Sequence, residues 1–146
     1  VQAALDEIVV PTNQKTLMAG YALMEQKSFL PQNALIRIKG CELSEGKTTA
    51  DVYPLALSAA KMAKDAGADM AASVLLLPGP GSAPSQAFQV DFLEAFETVE
   101  DYGVGYEKLM GATMREINAM GADAMSCDAP RLYLSNAVYW PLDFPR

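Results

Sequence analysis

The sequence predicts one small domain of the α/β or α+β class spanning residues 1–146, with about three helices packed on one mixed sheet. Two observations predict it. Apolar residues switch between helical and strand spacing along the chain, and a unit of helix, Gly-Ala-Asp and strand occurs twice. The 146 residues, 51% hydrophobic and 20% charged, are enough to bury one core.

The first predicted helix covers residues 14–27, within the stretch "PTNQKTLMAGYALMEQ". Thr12 or Asn13 is a suitable cap for it. The apolar stripe at helical spacing consists of Leu17, Met18, Tyr21 and Met24. With the strand that follows, this helix forms a third, looser copy of the repeated unit.

The strand that follows is predicted over Asn33–Cys41, "NALIRIKGC". Ile36 and Ile38 alternate there with Arg37 and Lys39, which is the period-two pattern of a strand.

The second predicted helix covers residues 51–66 and ends at Gly67. Its apolar stripe consists of Val52, Ala56, Ala59, Ala63 and Ala66. A glycine at this place ends a helix in the left-handed conformation, so Gly-Ala-Asp predicts a helix end and a strand start. The strand "AASVLLL", the breaker-rich "PGPGSAPS" and the alternating "QAFQVDF" then indicate a hairpin with a long loop.

The third predicted helix covers residues 106–120 and ends at Gly121, 54 residues after Gly67. Its stripe repeats the second one at the same offset: Tyr106, Met110, Thr113, Ile117 and Met120. The segments "AMSC" and "RLYLSNAVYW" after it predict two more strands. Strand direction stays open, and residues 93–102 fit either period.

The stretch "VGYEKLMGATMREINAMGADAMSC" resembles the helix, Gly-Ala-Asp-Ala, strand unit of small bacterial YbjQ-type domains and of RcsF-type envelope lipoproteins. The resemblance implies a compact α/β module and, in the RcsF-like case, one held by disulfides and involved in envelope sensing. The chain departs from the RcsF-like pattern in having only two cysteines.

A second stretch, from "ALIRIKG" through Gly46, Lys47 and Thr48 to "SVLLL", resembles the phosphate-binding loop of ParA-like ATPases. The resemblance implies that these three residues bind a nucleotide, with the threonine hydroxyl on magnesium. The loop departs from the motif, because Cys41 stands where a glycine is required and Glu45 would repel a triphosphate. A solvated turn, followed by a helix that Thr49 or Asp51 caps, is therefore the favoured interpretation.

Composition excludes several classes of function. The chain has no histidine, which removes Ser-His-Asp catalysis and the usual zinc sites. Its net charge of -7 disfavours nucleic-acid binding, and no apolar run approaches the roughly 20 residues of a membrane-spanning helix. We predict no cofactor, no metal site and no catalytic residue.

Cys41 and Cys127 are either two buried thiols or one long-range disulfide. The chain also starts "VQAALDE" without a methionine, a small-residue pattern expected near a signal-peptidase site, although a trimmed chain would look the same. Together these features favour an extracytoplasmic location, periplasmic or secreted.

The resulting expectation is an exported small binding or structural protein with no evident catalytic site, which acts with a protein partner or as a homo-oligomer. The alternative function is nucleotide binding at Gly46, Lys47 and Thr48.

Overall fold

A computed structural model describes residues 18–25, 33–78 and 89–136 of the chain. Its strands are β1 (Met18–Ala22), β2 (Asn33–Leu43), β3 (Ala72–Pro78), β4 (Gln89–Phe96), β5 (Met125–Cys127) and β6 (Arg131–Asn136). Its helices are α1 (Thr49–Asp65), α2 (Val99–Leu109) and α3 (Ala112–Gly121).

The six strands form one sheet in the order β1-β3-β4-β2-β5. Strand β6 lies on the same side of β2 as β5: β5 pairs with the end of β2 from Cys41 to Leu43, and β6 pairs with its first part from Asn33 to Ile38. Every pairing is antiparallel. The predicted mixed sheet is therefore wrong in its strand directions, while three helices on one sheet is confirmed for the described part of the chain. Omitting β1, the chain order and strand order are those of a ferredoxin-like α+β fold.

The three helices pack against one face of the sheet. Side chains alternate along each strand, so the residues of β2 that face the helices are Leu35, Arg37, Lys39, Cys41 and Leu43. Val52 and Leu75 are completely buried in the main cluster between α1 and the sheet. A separate small cluster lies on the opposite face, and its members among the described residues all come from the sheet and the segment before β3: Ala71, Ala72, Ala95 and Ile36.

Helix α1 confirms the second predicted helix and its helix end. Thr48 precedes its first turn, and the Thr48 N–H and hydroxyl donate to Asp51 Oδ2 at 2.8 and 2.7 Å. The helix is followed by Gly67 with φ of 85°, a conformation that costs a glycine nothing. The Gly67 carbonyl accepts a hydrogen bond of 3.0 Å from Lys108 Nζ, which ties this end to α2.

The helix predicted over residues 14–27 is wrong where the structure describes it, because Met18–Ala22 is strand β1. The apolar residues of this segment suit either period, and β1 forms a five-residue antiparallel ladder with β3. Tertiary pairing thus overrides the local pattern. The rest of that prediction lies outside the described residues.

The helix predicted over residues 106–120 is two helices. Gly111 lies between α2 and α3 with φ of 92°, and the Met110 N–H closes the last turn of α2 by donating to the Tyr106 and Glu107 carbonyls. Gly121 is the last residue of α3 and not a left-handed stop. A Cβ there would lie 2.9 Å from Met125 Cε, so a larger residue would require this flexible side chain to shift. The repeated helix, Gly-Ala-Asp, strand unit is therefore not confirmed.

Within the described ranges, no helix is both long and apolar enough to cross a membrane.

Candidate functional site: a cleft between the helices and the sheet

A cleft of about 300 Å³ separates the helices from the helix-facing side of the sheet. Its floor is formed by strands β2 and β4, with the side chains of Arg37, Lys39, Phe92, Glu94 and Phe96. Its walls are mainly apolar, from Leu55, Ala56, Ala59, Ala60 and Ala63 on α1 and Tyr102, Tyr106, Leu109, Met114 and Ile117 on α2 and α3.

The cleft exists because α1 presents small side chains to the sheet. Ala56, Ala60 and Ala63 are buried, and Ala59 is half-buried on the same stripe. Alanine fills little of the gap between a helix and a sheet, which in a closely packed core larger side chains would occupy. The sequence shows this stripe, and the structure shows the volume that it leaves.

An ion pair lies on the floor of the cleft. Arg37 and Glu94 are opposite each other in the β2–β4 ladder, and Arg37 Nη1 donates to Glu94 Oε2 at 2.5 Å. Their side chains are only 15% and 24% exposed. The Arg37 Nε donor is buried and has no hydrogen-bond acceptor within the part of the chain described. A buried donor without a partner lowers the stability of the fold, so a ligand that supplies an acceptor to it would gain binding free energy.

Lys39 follows on the same face of β2, opposite Phe92. Burial lowers the pKa of its ammonium group, the nearby Arg37 charge lowers that pKa further, and Glu94 acts in the opposite direction. Sequence reasoning missed this site because Arg37 and Lys39 look like the solvated side of the strand. The signal was present in Leu35 and Cys41, which have the same parity and are buried.

The disulfide lies at one end of the cleft. Cys41 and Cys127 are direct neighbours across β2 and β5, with a Cα–Cα distance of 4.0 Å and an S–S bond of 2.09 Å. Of the two alternatives for these cysteines, the structure therefore has the disulfide and not two free thiols. The strands are antiparallel, so the two residues meet as a cross-strand pair and not as the ends of parallel strands. Cys127 lines the cleft, and Cys41 is buried in the core.

The predicted nucleotide-loop residues lie elsewhere. Gly46, Lys47 and Thr48 form the exposed turn between β2 and α1, and none of them lines the cleft. The Thr48 hydroxyl donates to Asp51, and this bond and the Thr48 N–H hold the pKa of the Asp51 carboxyl below its usual range. The actual N-cap is Thr48, one residue before Thr49, and Asp51 completes it. That no nucleotide binds at this turn stays a prediction.

A second, polar groove of about 420 Å³ lies on the opposite side of the sheet. It contains Glu42, Asp91, Asp128 and Arg131. Burial raises the pKa of the Asp91 carboxyl, and Arg131 opposes that shift. Across residues 18–25, 33–78 and 89–136, no three His, Cys, Asp or Glu side chains form a group able to hold a metal ion.

No protein-family model matches the sequence, and no curated protein matches it significantly. Among solved structures, the fold is similar to a nipsnap family protein of unknown function from Agrobacterium tumefaciens, with a TM-score of 0.54, 10% identity and coverage of 74% of this chain and 93% of that chain. A candidate antibiotic biosynthesis monooxygenase from Chloroflexus aurantiacus gives a TM-score of 0.46, 9% identity and coverage of 73% and 97%. A dimeric protein of unknown function and ferredoxin-like fold from Bacteroides fragilis gives a TM-score of 0.38 and 10% identity, with coverage of 70% of this chain and 95% of that chain.

The fold shared with the nipsnap family protein corrects the resemblance to YbjQ-type and RcsF-type envelope domains, which is wrong. The matched stretch consisted of a helix end followed by a strand, and helix-cap chemistry produces that pattern in many α+β proteins. At 10% identity the likeness to the nipsnap family protein establishes a shared fold.

Proposed function

We propose that the protein is a binding protein whose cleft holds a small, mainly apolar molecule with one polar end that accepts hydrogen bonds. The observation that carries this proposal is the buried Arg37 Nε donor, for which the described residues supply no acceptor, next to Lys39 on the floor of an apolar cleft. Ligand sites are commonly concave, apolar and equipped with a few convergent polar groups, and 300 Å³ is at the small end of their usual range.

Charge favours an anionic polar end such as a carboxylate. Among the described residues that line the cleft, Arg37 and Lys39 outnumber Glu94, although the whole chain has a net charge of -7. An apolar surrounding strengthens the attraction between such cations and a carboxylate relative to water. The ligand class is therefore an amphipathic molecule with an apolar body and an anionic end.

The test is a fluorescence titration with anilinonaphthalene sulfonate, an amphipathic anion, followed by displacement with decanoate. Lys39→Gln is expected to weaken binding by about tenfold or more, because a hydrogen bond to a charged group contributes about 1.5–3 kcal/mol. Lys47→Gln is the matched control, since Lys47 is exposed on the turn before α1.

A second pair of variants tests the location. Ala59→Leu adds volume to the cleft wall and is expected to abolish probe binding, whereas Ala50→Leu at an exposed position of the same helix is expected to leave it unchanged. Probe binding that is insensitive to both Ala59→Leu and Lys39→Gln would contradict the proposal.

We further propose that the protein acts outside the cytoplasm. The Cys41–Cys127 disulfide supports this, because disulfides persist in oxidising compartments and are rare in the cytosol. Fractionation of producing cells, with alkylation of free thiols before lysis, tests it. Protein in the cytoplasmic fraction with both cysteines alkylated would contradict it.

We also propose that the partner is a second copy of the chain, bound on the sheet face opposite the helices. Ile36, Ile38 and Leu93 lie on that face and are only half-buried, and none of the described helices contributes a residue to the apolar cluster there. An apolar sheet face requires cover by another layer.

Light scattering tests this proposal. The wild type is expected to be a dimer, and the Ile38→Glu variant is expected to be a monomer. Leu57→Glu, on the exposed side of α1, is the control, and a monomeric wild type would contradict the proposal.

A further inference from the structure

We propose that Lys39 is a nucleophilic amine that forms a reversible imine with an apolar aldehyde held in the cleft. This inference rests on the proposed binding function and specifies the chemistry that the polar end of a ligand meets there. It gives the cleft an activity in addition to binding.

The position of Lys39 suits this role. Its side chain lies on the helix-facing side of β2, between Arg37 and Cys41 on the same face. Phe92 is directly opposite on β4, and Glu94 is the diagonal neighbour on that strand, so both are within reach of a long side chain. Lys39 also lines the cleft, so an aldehyde whose apolar chain occupies it has this amine among the polar groups available to its carbonyl.

Burial and the Arg37 charge favour the neutral form of Lys39, whereas the Glu94 charge favours its ammonium form. Among the described residues that line the cleft, the other charged side chains are Arg37 and Glu94, and the remaining titratable groups are Tyr102 and Tyr106 on α2. The wall residues from α1 and α3 carry no charge. Burial, together with the Arg37 charge, lowers the pKa of Lys39, so more of it is unprotonated near neutral pH than of an exposed lysine. Desolvation next to another cation is a known way to activate an amine.

The step balances without an oxidant or reductant. The nitrogen lone pair attacks the carbonyl carbon, a C–N bond forms, and the carbonyl π electrons move to oxygen. A proton passes from nitrogen to oxygen to give a carbinolamine, which then loses hydroxide and a nitrogen-bound proton as water while the C=N bond forms. Among the described residues, Glu94 is the carboxylate of the cleft, and it is placed to relay these protons.

The test is reductive trapping of the native protein with decanal and sodium cyanoborohydride near pH 7, followed by peptide mass mapping. Cyanoborohydride converts the imine to a stable secondary amine, so each labelled lysine is read directly. Lys39 is expected to react on the order of tenfold faster than exposed Lys47 and Lys61, because binding holds the aldehyde next to the amine. Decanoate is expected to protect Lys39 and not the exposed lysines, and Lys39→Arg is expected to remove the fast phase.

Equal labelling of Lys39 and the exposed lysines, or no protection by decanoate, would overturn the imine proposal. The fluorescent probe is titrated on the same sample to separate the two claims. Probe binding without fast Lys39 labelling removes the imine and leaves the binding function intact. Absence of both probe binding and fast Lys39 labelling would contradict both the binding function and the imine proposal.

Discussion

Reducing the Cys41–Cys127 disulfide is expected to lower the melting temperature by about 15 °C. The bridge joins positions 86 residues apart. In the chain-entropy account, closing a loop of that length lowers the entropy of the unfolded chain by about 15 cal/mol/K, or about 4–5 kcal/mol at 25 °C. Unfolding entropy of about 2.1 cal/mol/K per residue gives roughly 300 cal/mol/K for 146 residues. Dividing the lost free energy by this entropy gives a fall in melting temperature of about 15 °C.

The assay is differential scanning calorimetry with and without reductant. The Cys41→Ala/Cys127→Ala double variant is expected to melt near the reduced wild type and to be insensitive to reductant. Because Cys41 is buried, a single variant would mix the lost bridge with a lone core thiol, so the double variant is the cleaner comparison. A wild type whose melting changes by less than about 3 °C on reduction would refute the entropic argument. Two reactive thiols in the native protein would refute the bridge itself.

Three further predictions concern single positions. Glu94→Gln is expected to lower the free energy of unfolding by about 1–3 kcal/mol in urea, because it weakens the mostly buried Arg37 pair, whereas Asp65→Asn, in an exposed pair, should change it by less than about 1 kcal/mol. Gly67→Ala is expected to destabilise by about 1 kcal/mol because φ is positive there, and Gly103→Ala, within α2 and facing open space, is expected to be neutral or stabilising. Labelled ATP with magnesium is expected to show no saturable binding in equilibrium dialysis, and a micromolar Kd abolished by Lys47→Ala would contradict this.

The sequence predicts an element correctly where its hydrophobic period agrees with the residues that start and end it. Helix α1 has an apolar stripe, a polar start at Thr48 and a left-handed Gly67 at its end, and the structure confirms it within two residues at its start and one at its end. The strand predicted over Asn33–Cys41 is likewise confirmed as part of β2, although apolar and charged residues alternate only from Ile36 to Lys39.

The failures have physical causes of two kinds. The segment Met18–Ala22 is apolar at both periods, so only its pairing with β3 decides that it is a strand. Between α2 and α3 the apolar stripe continues through Gly111, and a period alone does not reveal a positive φ. Strand direction also required long-range pairing, which no local pattern encodes.

The candidate site was harder to predict than the fold. Arg37 and Lys39 alternate with isoleucines, and solvation is the usual interpretation of such charges. The helices cover this face of β2, and Glu94, 57 residues away from Arg37, supplies a counter-charge to Arg37 from the neighbouring strand. Sequence spacing does not bring these residues together, whereas the antiparallel β2–β4 ladder does.

The central claim, that the cleft binds an amphipathic anion, is tested most directly by methyl NMR of the methionines during a decanoate titration. Met70, Met114, Met120 and Met125 line the cleft, whereas Met62 and Met110 do not. The binding account predicts saturable shifts of the first four methyl resonances at one common Kd, with the last two unmoved. Shifts of equal size at all six, or none up to the solubility limit of decanoate, would contradict it.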